Sequence, residues 1–180
     1  TNYFLEENIE NLDEVIVTKD IEELDLKKPI MSLNILSNQT IKQTPVLFGE
    51  SDVLKTIQLL PGVSNAGEGS GGFNVRGGAA DQNLILFDEA IIYNSSHLFG
   101  LFSIFNSDAI KEVKLYKGGI PASYGGRISS VLDVYQKDGN SKEHKLSGGV
   151  GVISSRILGE GPIKKNKGSY LIASRGSYAH

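Results

Sequence analysis

The spacing of hydrophobic residues along the chain changes several times, and each spacing predicts a different element. The clearest helical spacing is formed by four apolar residues: Val53, Leu54, Ile57 and Leu60. Ser51 or Asp52 can cap this helix, and Pro61-Gly62 ends it. A second, shorter helix is predicted over 37–43. It should end before Pro45, because the residue that precedes a proline avoids the helical region.

Short alternating or β-branched runs predict strands between and after these helices. They cover residues 29–36, 73–76, 83–88, 90–93, 113–117 and 128–135. The apolar segment 98–105 is expected to be buried, and a helical turn is expected at 106–108. Short helices mixed with short strands indicate an α+β fold.

The pattern changes after residue 137. Leu146–Leu158 is rich in Gly and Ser with loose alternation, whereas Gly168–Tyr178 alternates cleanly. In the second segment one face carries Tyr170, Ile172, Ser174 and Tyr178, and the other carries Ser169, Ala173, Arg175 and Ser177. Periodicity alone leaves two interpretations open, a membrane-spanning strand with aromatic residues near its ends or a hairpin of a soluble sheet.

Three sequence blocks, at 53–63, 72–78 and 124–134, occur in an order that is specific when taken together. They include Leu60-Pro61-Gly62-Val63, Asn74-Val75-Arg76-Gly77-Gly78 and Tyr124-Gly125-Gly126-Arg127. The chain thereby resembles the plug domain of outer-membrane TonB-dependent receptors, most closely the kind found in Bacteroidetes. The resemblance extends from about Leu12 to Tyr178.

This resemblance implies a plug of about four strands in a mixed sheet with short flanking helices, seated inside a 22-stranded barrel. It divides the chain into a tether (1–28), the plug (29–137) and the start of the transmembrane barrel (138–180). Leu146–Leu158 and Gly168–Tyr178 would be the first two barrel strands. Two strands cannot close a barrel, so the chain is expected to be a fragment of a receptor, or a remnant of one.

The function implied is energised uptake of a ligand across the outer membrane, with the plug in the barrel lumen and the N-terminus in the periplasm. TonB, the barrel, a transported ligand and a surface lipoprotein are the candidate partners, and no enzymatic activity is expected. The alternative is a free-standing plug-like module that occludes another large pore. Where related sequences often have Asp-Gly after the central strand, this chain has Asp88-Glu89, so a different turn is expected.

The segment Leu12 to Thr18 resembles a TonB box, the peptide by which such receptors engage TonB. Its candidate contact residues are Asp13, Glu14, Val15, Ile16, Val17 and Thr18. An extended β-branched peptide can add as a strand to an exposed sheet edge. The other interpretation is that Val15–Val17 ends a preceding extension domain, whose tail would be residues 1–11.

Two arginines stand beside paired glycines, and both groups are candidate contacts between plug and barrel. The residues are Arg76, Gly77, Gly78, Gly125, Gly126 and Arg127. Glycine permits positive φ or close approach of the backbone, and Arg offers a rigid fork of donors to carboxylates. The alternative is local turn chemistry with an exposed Arg. Tyr93 and His97 are the candidate ligand-facing residues.

Other chemistries find little support in the sequence. Gly67, Gly69 and Gly72 match the spacing of a dinucleotide loop, but no helix is predicted to follow them. With no Cys and three scattered His, neither a Cys-based site nor a metal site is indicated. No cofactor is therefore expected.

Charge is distributed unevenly along the chain, although the net charge is only −3. Residues 1–25 carry nine acids and one Lys, and residues 111–180 carry twelve Lys/Arg and five acids. The acidic segment is typical of a solvated tether. The basic residues are dispersed among Gly and Ser without stacking aromatics, so nucleic-acid binding is not expected.

Overall fold

We analysed a computed structural model of the chain, which describes residues 32–44, 50–67, 71–97, 100 and 102–178. These residues all belong to one compact unit, Met31–His180. None of the helices in these ranges is long and apolar enough to cross a membrane.

Two short helices and twelve strands make up the described part of the chain. The helices are α1 (Asn38–Gln43) and α2 (Val53–Gln58), and a 3₁₀ turn spans Ala80–Gln82. The strands are β1 (Leu33–Ser37), β2 (Val63–Asn65), β3 (Phe73–Val75), β4 (Asn83–Phe87), β5 (Ala90–Ile91), β6 (Ser96–His97), β7 (Phe102–Ser103), β8 (Ile110–Tyr116), β9 (Ser130–Gln136), β10 (Lys145–Val150), β11 (Ser154–Lys164) and β12 (Gly168–Ser177).

The central sheet has five strands in the order β1-β8-β9-β4-β5. Strands β4 and β9 are parallel, and the other neighbours are antiparallel. The mixed sheet predicted from the sequence is confirmed, with five strands where about four were expected. The strand predicted over 90–93 is shorter than expected, because pairing ends at Ile91.

The turn between β4 and β5 uses two residues in the left-handed region. Asp88 has φ 45° and Glu89 has φ 70°, the combination of a type I′ hairpin turn. Neither residue is glycine, so each carries a backbone cost of about 1 kcal/mol. The Asp88 carboxylate offsets part of this cost by accepting a hydrogen bond of 2.9 Å from the backbone N–H of Gln136.

Both predicted helices are present, and their first turns show why they start where they do. The Ser37 Oγ accepts from the N–H of Thr40 at the start of α1. Asp52, rather than Ser51, caps α2 by accepting from the N–H of Lys55. The apolar face of α2 then packs Val53 and Ile57 into the core with no exposed surface.

The core lies mainly on one face of the central sheet. Helix α2, Phe73, Phe105 and inward residues of β8 and β9 form a single buried cluster. A smaller cluster on the opposite face joins Leu84, Leu86, Tyr116 and Val131. The central sheet is therefore covered on both faces by its own chain.

A second sheet, the terminal sheet, consists of β10, β11 and β12 in antiparallel order. The prediction of one strand over Leu146–Leu158 is wrong. Strand β10 ends at Val150, and β11 begins at Ser154 after a turn in which the Gly151 N–H bonds to Ser154 O at 2.8 Å. The terminal sheet thus contributes three strands where the sequence analysis expected two.

Glycines explain why the chain can reverse within this segment. A Cβ on Gly148 would lie 2.9 Å from the carbonyl oxygen of Arg156, and one on Gly149 would lie 3.2 Å from the Arg156 guanidinium. Two glycines therefore let the returning strand and its arginine approach closely. The loose alternation of the sequence concealed this hairpin.

The glycine-rich loop that matches a dinucleotide pattern joins β2 to β3. These two strands pair antiparallel, with Val63 opposite Val75. The loop therefore lies within a hairpin and leads into a strand, whereas a dinucleotide loop opens a helix.

Candidate functional site

The two faces of the terminal sheet differ in character. On β11, Ser154, Arg156, Leu158 and Glu160 point toward the central sheet, and their neighbours point away. The outward face carries a set of exposed apolar residues: Leu146, Val150, Ile157, Ile163 and Ile172. On β12 the alternation predicted from the sequence is observed, with Ile172 outward and Arg175 inward.

A buried ion pair joins the terminal sheet to Glu50, which lies just before α2. Arg175 Nη1 lies 2.6 Å from Glu50 Oε1, and the two side chains are 10% and 3% exposed. Ser154 Oγ donates a second hydrogen bond of 2.5 Å to Glu50 Oε2. We call Glu50, Ser154 and Arg175 the anchor. Both oxygens of its buried carboxylate are satisfied, which low-dielectric surroundings require.

Arg175 also contacts the segment 102–105. Its guanidinium donates to the carbonyl oxygens of Ser103 and Phe105. The backbone N–H of Ser103 donates in turn to Asp52 Oδ2 at 2.6 Å. Asp52 therefore links this segment to α2, while Arg175 links it to β12. Arg175 thus fastens two separate parts of the chain, Glu50 and the segment 102–105, to the terminal sheet.

A second ionic contact lies beside the anchor. Asp108 forms ion pairs with Lys42, whose Nζ lies 3.0 Å from Oδ1, and with Arg156, whose Nε lies 2.7 Å from Oδ2. Burial raises the pKa of Asp108, but the hydrogen bonds and charges of Lys42 and Arg156 outweigh it and hold the pKa below its ordinary value. A third pair joins Lys137 Nζ to Glu160 at 3.6 Å. Three ion pairs thus join the terminal sheet to residues just outside the central strands: Glu50 before α2, Asp108 before β8 and Lys137 after β9.

The opposite face of the central sheet holds an aspartate between two tyrosines. The hydroxyls of Tyr124 and Tyr135 both donate to Asp133 Oδ2, at 2.9 and 2.5 Å. Burial and the bond to Asp133 raise the pKa of Tyr124, and the Asp133 bond raises that of Tyr135 to about 12. Both phenols therefore stay protonated at neutral pH. This network fastens the loop that contains Tyr124 to β9.

A cleft of about 410 Å³ opens at the edge of the central sheet. Among the residues that line it are Tyr93 and the segment Gly125-Gly126-Arg127. Tyr93 is 86% exposed. The structure therefore brings together one candidate ligand-facing residue and one of the two arginine–glycine groups.

The other arginine–glycine group lies beside the cleft and does not line it. Arg76 has φ 49° and donates through its guanidinium to Ser32 Oγ at 2.6 Å. A Cβ on Gly78 would clash with the Ser129 side chain, so this glycine permits the close approach of the residue two positions after Arg127. Gly77 and Gly126 have φ of 81° and 82°, the region that glycine enters most readily.

The remaining candidates are placed as follows. His97 is exposed, and its ring centre lies 6.1 Å from that of Phe102. The segment Leu12 to Thr18 lies outside the described residues. Roles for Arg76, Arg127, Tyr93 and His97 stay predictions.

Sequence reasoning missed the anchor and its neighbouring ion pairs. Glu50 and Arg175 are 125 residues apart, and no local pattern joins them. Only the alternation of β12, which places Arg175 on the face opposite Ile172, gave a signal for one partner.

Comparison with known proteins shows what this arrangement is similar to. The family model described as the TonB-dependent receptor plug domain matches residues 25–131. No curated protein sequence matches the chain.

Three solved structures with a similar fold are each much longer than this chain. The siderophore receptor PirA from Acinetobacter baumannii superposes with a TM-score of 0.62 at 19% identity, over 86% of this chain and 25% of its own. A mutant of the ferric enterobactin receptor PfeA from Pseudomonas aeruginosa gives 0.59 at 20% identity, over 85% and 25%. The copper transporter OprC gives 0.57 at 14%, over 82% and 23%. At these identities the likeness shows the fold alone.

Proposed function

Because this chain belongs to the TonB-dependent receptor plug domain family, we propose that it gates energised uptake of a ligand through an outer-membrane barrel of 22 strands. The chain spans about a quarter of the length of the solved structures it matches. The proposed receptor is of the type found in Bacteroidetes, because its motifs resemble that group most closely. Residues 29–137 are the plug, residues 138–180 begin the barrel wall, and residues 1–28 are the tether.

The observation that carries this proposal is the division of the terminal sheet into a polar inner face and an apolar outer face. Its inner face meets the plug through the anchor and two further ion pairs. Its outer face exposes Ile157, Ile172 and Leu146, the last at 76%. A strand with one face toward a polar lumen and the other toward lipid has this alternation. The geometry supports strands that surround the plug and face the membrane.

The plug itself is proposed to hold ligand on one side and to be pulled from the other. The cleft lined by Tyr93, with His97 next in sequence to its lining residue Ser96, is the proposed ligand face, directed to the cell exterior. The segment Leu12 to Thr18 is the proposed site for TonB in the periplasm, with force reaching the plug through β1. Arg76 and Arg127 are proposed to contact barrel strands outside this chain. A surface lipoprotein is a further candidate partner.

The free-standing plug-like module is the second candidate, and the outer face argues against it. A protein that only enters another pore would expose this face to water before docking. A row of exposed aliphatic residues on three paired strands is costly there, because large apolar patches drive association.

The test is electrophoresis of outer-membrane fractions from cells that carry the native gene, loaded with and without heating. A large, detergent-extracted band whose mobility changes on heating would support a barrel receptor. A soluble periplasmic band near the 19.4 kDa of this chain would contradict it.

A deletion of residues 12–18 tests the TonB segment separately. We expect the deletion to abolish energised uptake while ligand binding to intact cells continues. Replacing the same segment by a Gly/Ser stretch of equal length keeps the tether length and serves as the control for spacing. Uptake that continues in both variants would overturn the assignment.

A further inference from the structure

The two ends of the terminal sheet differ sharply in charge. At one end the turn 151–153 and the residues around it, 149–155, carry no charged side chain. At the other end stand five exposed lysines: Lys142, Lys145, Lys164, Lys165 and Lys167. We call these five the basic rim. Alternation of the strands does not require such an asymmetry.

The basic rim is built from two loops that are fastened together. The turn 165–167 joins β11 to β12, and the loop 138–144 leads from the central sheet into β10. The backbone N–H of Asn166 donates to Ser141 O at 2.9 Å. Lysines from both loops are therefore held at one edge of the sheet.

Few carboxylates lie near the basic rim to neutralise it. Lys145 pairs with Glu143 at 3.1 Å, and the neighbouring Lys137 pairs with Glu160 at 3.6 Å. Within 137–178 the remaining acid is Asp138, which is exposed. Lys142, Lys164, Lys165 and Lys167 leave an excess of positive charge on this edge.

Apolar and aromatic side chains border the basic rim on the outward face. Leu146 and Ile163, next in sequence to Lys145 and Lys164, are each 76% exposed. Tyr170 lies on the same face, and its hydroxyl is 3.0 Å from His144 Nδ1. A tyrosine between apolar and charged residues is typical of the level of lipid head groups.

We propose that the basic rim binds the head groups of anionic phospholipids in the leaflet next to it. Lysine is a flexible point charge that extends to head-group phosphates while its stem covers apolar surface. The bordering face supplies acyl-chain contacts that a water-soluble acidic protein does not need. This proposal rests on the proposed function, since it requires that the terminal sheet lie in a bilayer.

The test uses the full-length receptor, purified in detergent and equilibrated with equal amounts of phosphatidylglycerol and phosphatidylcholine. Lipid retained on the protein is counted by native mass spectrometry. We expect preferential retention of phosphatidylglycerol. Lys164→Gln with Lys165→Gln should weaken that retention roughly 25-fold, at about fivefold for each lysine.

Two matched variants separate charge from structure. Lys164→Arg with Lys165→Arg keeps the charge and should keep the preference. Lys55→Gln with Lys111→Gln removes the same charge from the plug and should leave retention unchanged. Equal retention of the two lipids by the native protein, or retention unchanged in the Lys164→Gln/Lys165→Gln variant, would overturn the proposal. Displacement of phosphatidylglycerol by an equal concentration of inorganic phosphate would also overturn it.

Failure of this proposal is distinguishable from failure of the proposed function. Heat-modifiable migration of the same preparation shows whether a barrel is present. A heat-modifiable receptor without lipid preference would reject the basic rim alone.

Discussion

The central sheet and the terminal sheet differ in how far their apolar side chains are buried. In the central sheet Val113, Leu115 and Val134 have no exposed surface, and apolar clusters lie on both of its faces. The terminal sheet buries Leu158 to 2% on its inner face, but its outer face leaves Ile172 67% exposed. The central sheet buries its two apolar clusters within its own chain, whereas the terminal sheet leaves a row of aliphatic side chains uncovered by the described residues.

Loss of Arg175 is expected to have the largest effect on the contact between these sheets. Arg175→Ala leaves Glu50 buried without its counter-charge, which should lower the free energy of unfolding by about 3–5 kcal/mol. Hydrogen exchange of the full receptor in detergent should show lost protection at 102–105 and in α2. Glu50→Gln combined with Arg175→Gln leaves no lone charge and should recover much of that protection. Unchanged exchange in Arg175→Ala would show that the anchor does not hold the plug.

The two neighbouring residues Leu158 and Ile157 compare the inner and outer faces directly. Leu158→Ala opens a cavity on the side of the plug and should lower the free energy of unfolding by about 2–5 kcal/mol. Ile157 is the next residue and lies on the outer face. Ile157→Ala should lower the free energy of unfolding much less, because that side chain is 52% exposed and its removal leaves no cavity. Urea unfolding of the receptor in detergent measures both. Equal costs would mean that the two faces do not differ as described.

The ionic contact at Asp108 should weaken in acid. In the folded state the pKa of Asp108 lies below its ordinary value near 4. The contribution of this contact to stability is therefore complete above the pKa of the unfolded state, and it is lost as the pH falls through the pKa of the folded state. Asp108→Asn should lower the free energy of unfolding by about 1–2 kcal/mol at neutral pH, and it should make that free energy depend less on pH. Hydrogen exchange of α1 at about pH 7 and about pH 3 checks both. The exposed Asp138→Asn is the control, and a matching effect there would contradict the assignment.

The smallest expected effect is confined to the central sheet. Glu89→Gly relieves a left-handed φ of 70° and should stabilise the plug by about 1 kcal/mol. Asp88→Gly at the same turn should stabilise the plug less, because it also removes the hydrogen bond that the Asp88 carboxylate accepts from Gln136. Thermal unfolding compares them. A larger gain from Asp88→Gly would show that this hydrogen bond contributes little.

The parts of the fold that the sequence predicts are those with a local signal. Helix α2 has a cap, an apolar face and a Pro-Gly stop within twelve residues, 51–62, and it forms as predicted. Strand β12 alternates strictly, so the faces of Ile172 and Arg175 follow from the pattern. The hairpin within 146–158 was missed because its turn has no Asn-Gly or Asp-Gly pair, and two of its three glycines lie in β10 and only one in the turn.

The candidate site was predicted less well, for a physical reason. Of the glycines beside Arg76 and Arg127, Gly77 and Gly126 have the expected positive φ and Gly78 the expected close approach, whereas Gly125 shows neither. The anchor depends on Glu50 and Arg175 meeting through the tertiary fold, and a single Glu or Arg resembles any surface charge in sequence. Burial of both side chains, at 3% and 10% exposed, distinguishes this pair, and burial appears only in the structure.

The central claim is that the terminal sheet turns its outer face to lipid and its inner face to the plug. Spin labels placed singly on Cys at positions 171 to 176 of the receptor in outer membranes test it through oxygen accessibility. The account predicts a period of two, with high accessibility at Ile172, Ser174 and Gly176 and low accessibility at Leu171, Ala173 and Arg175. Uniform accessibility, or the opposite alternation, would contradict the claim.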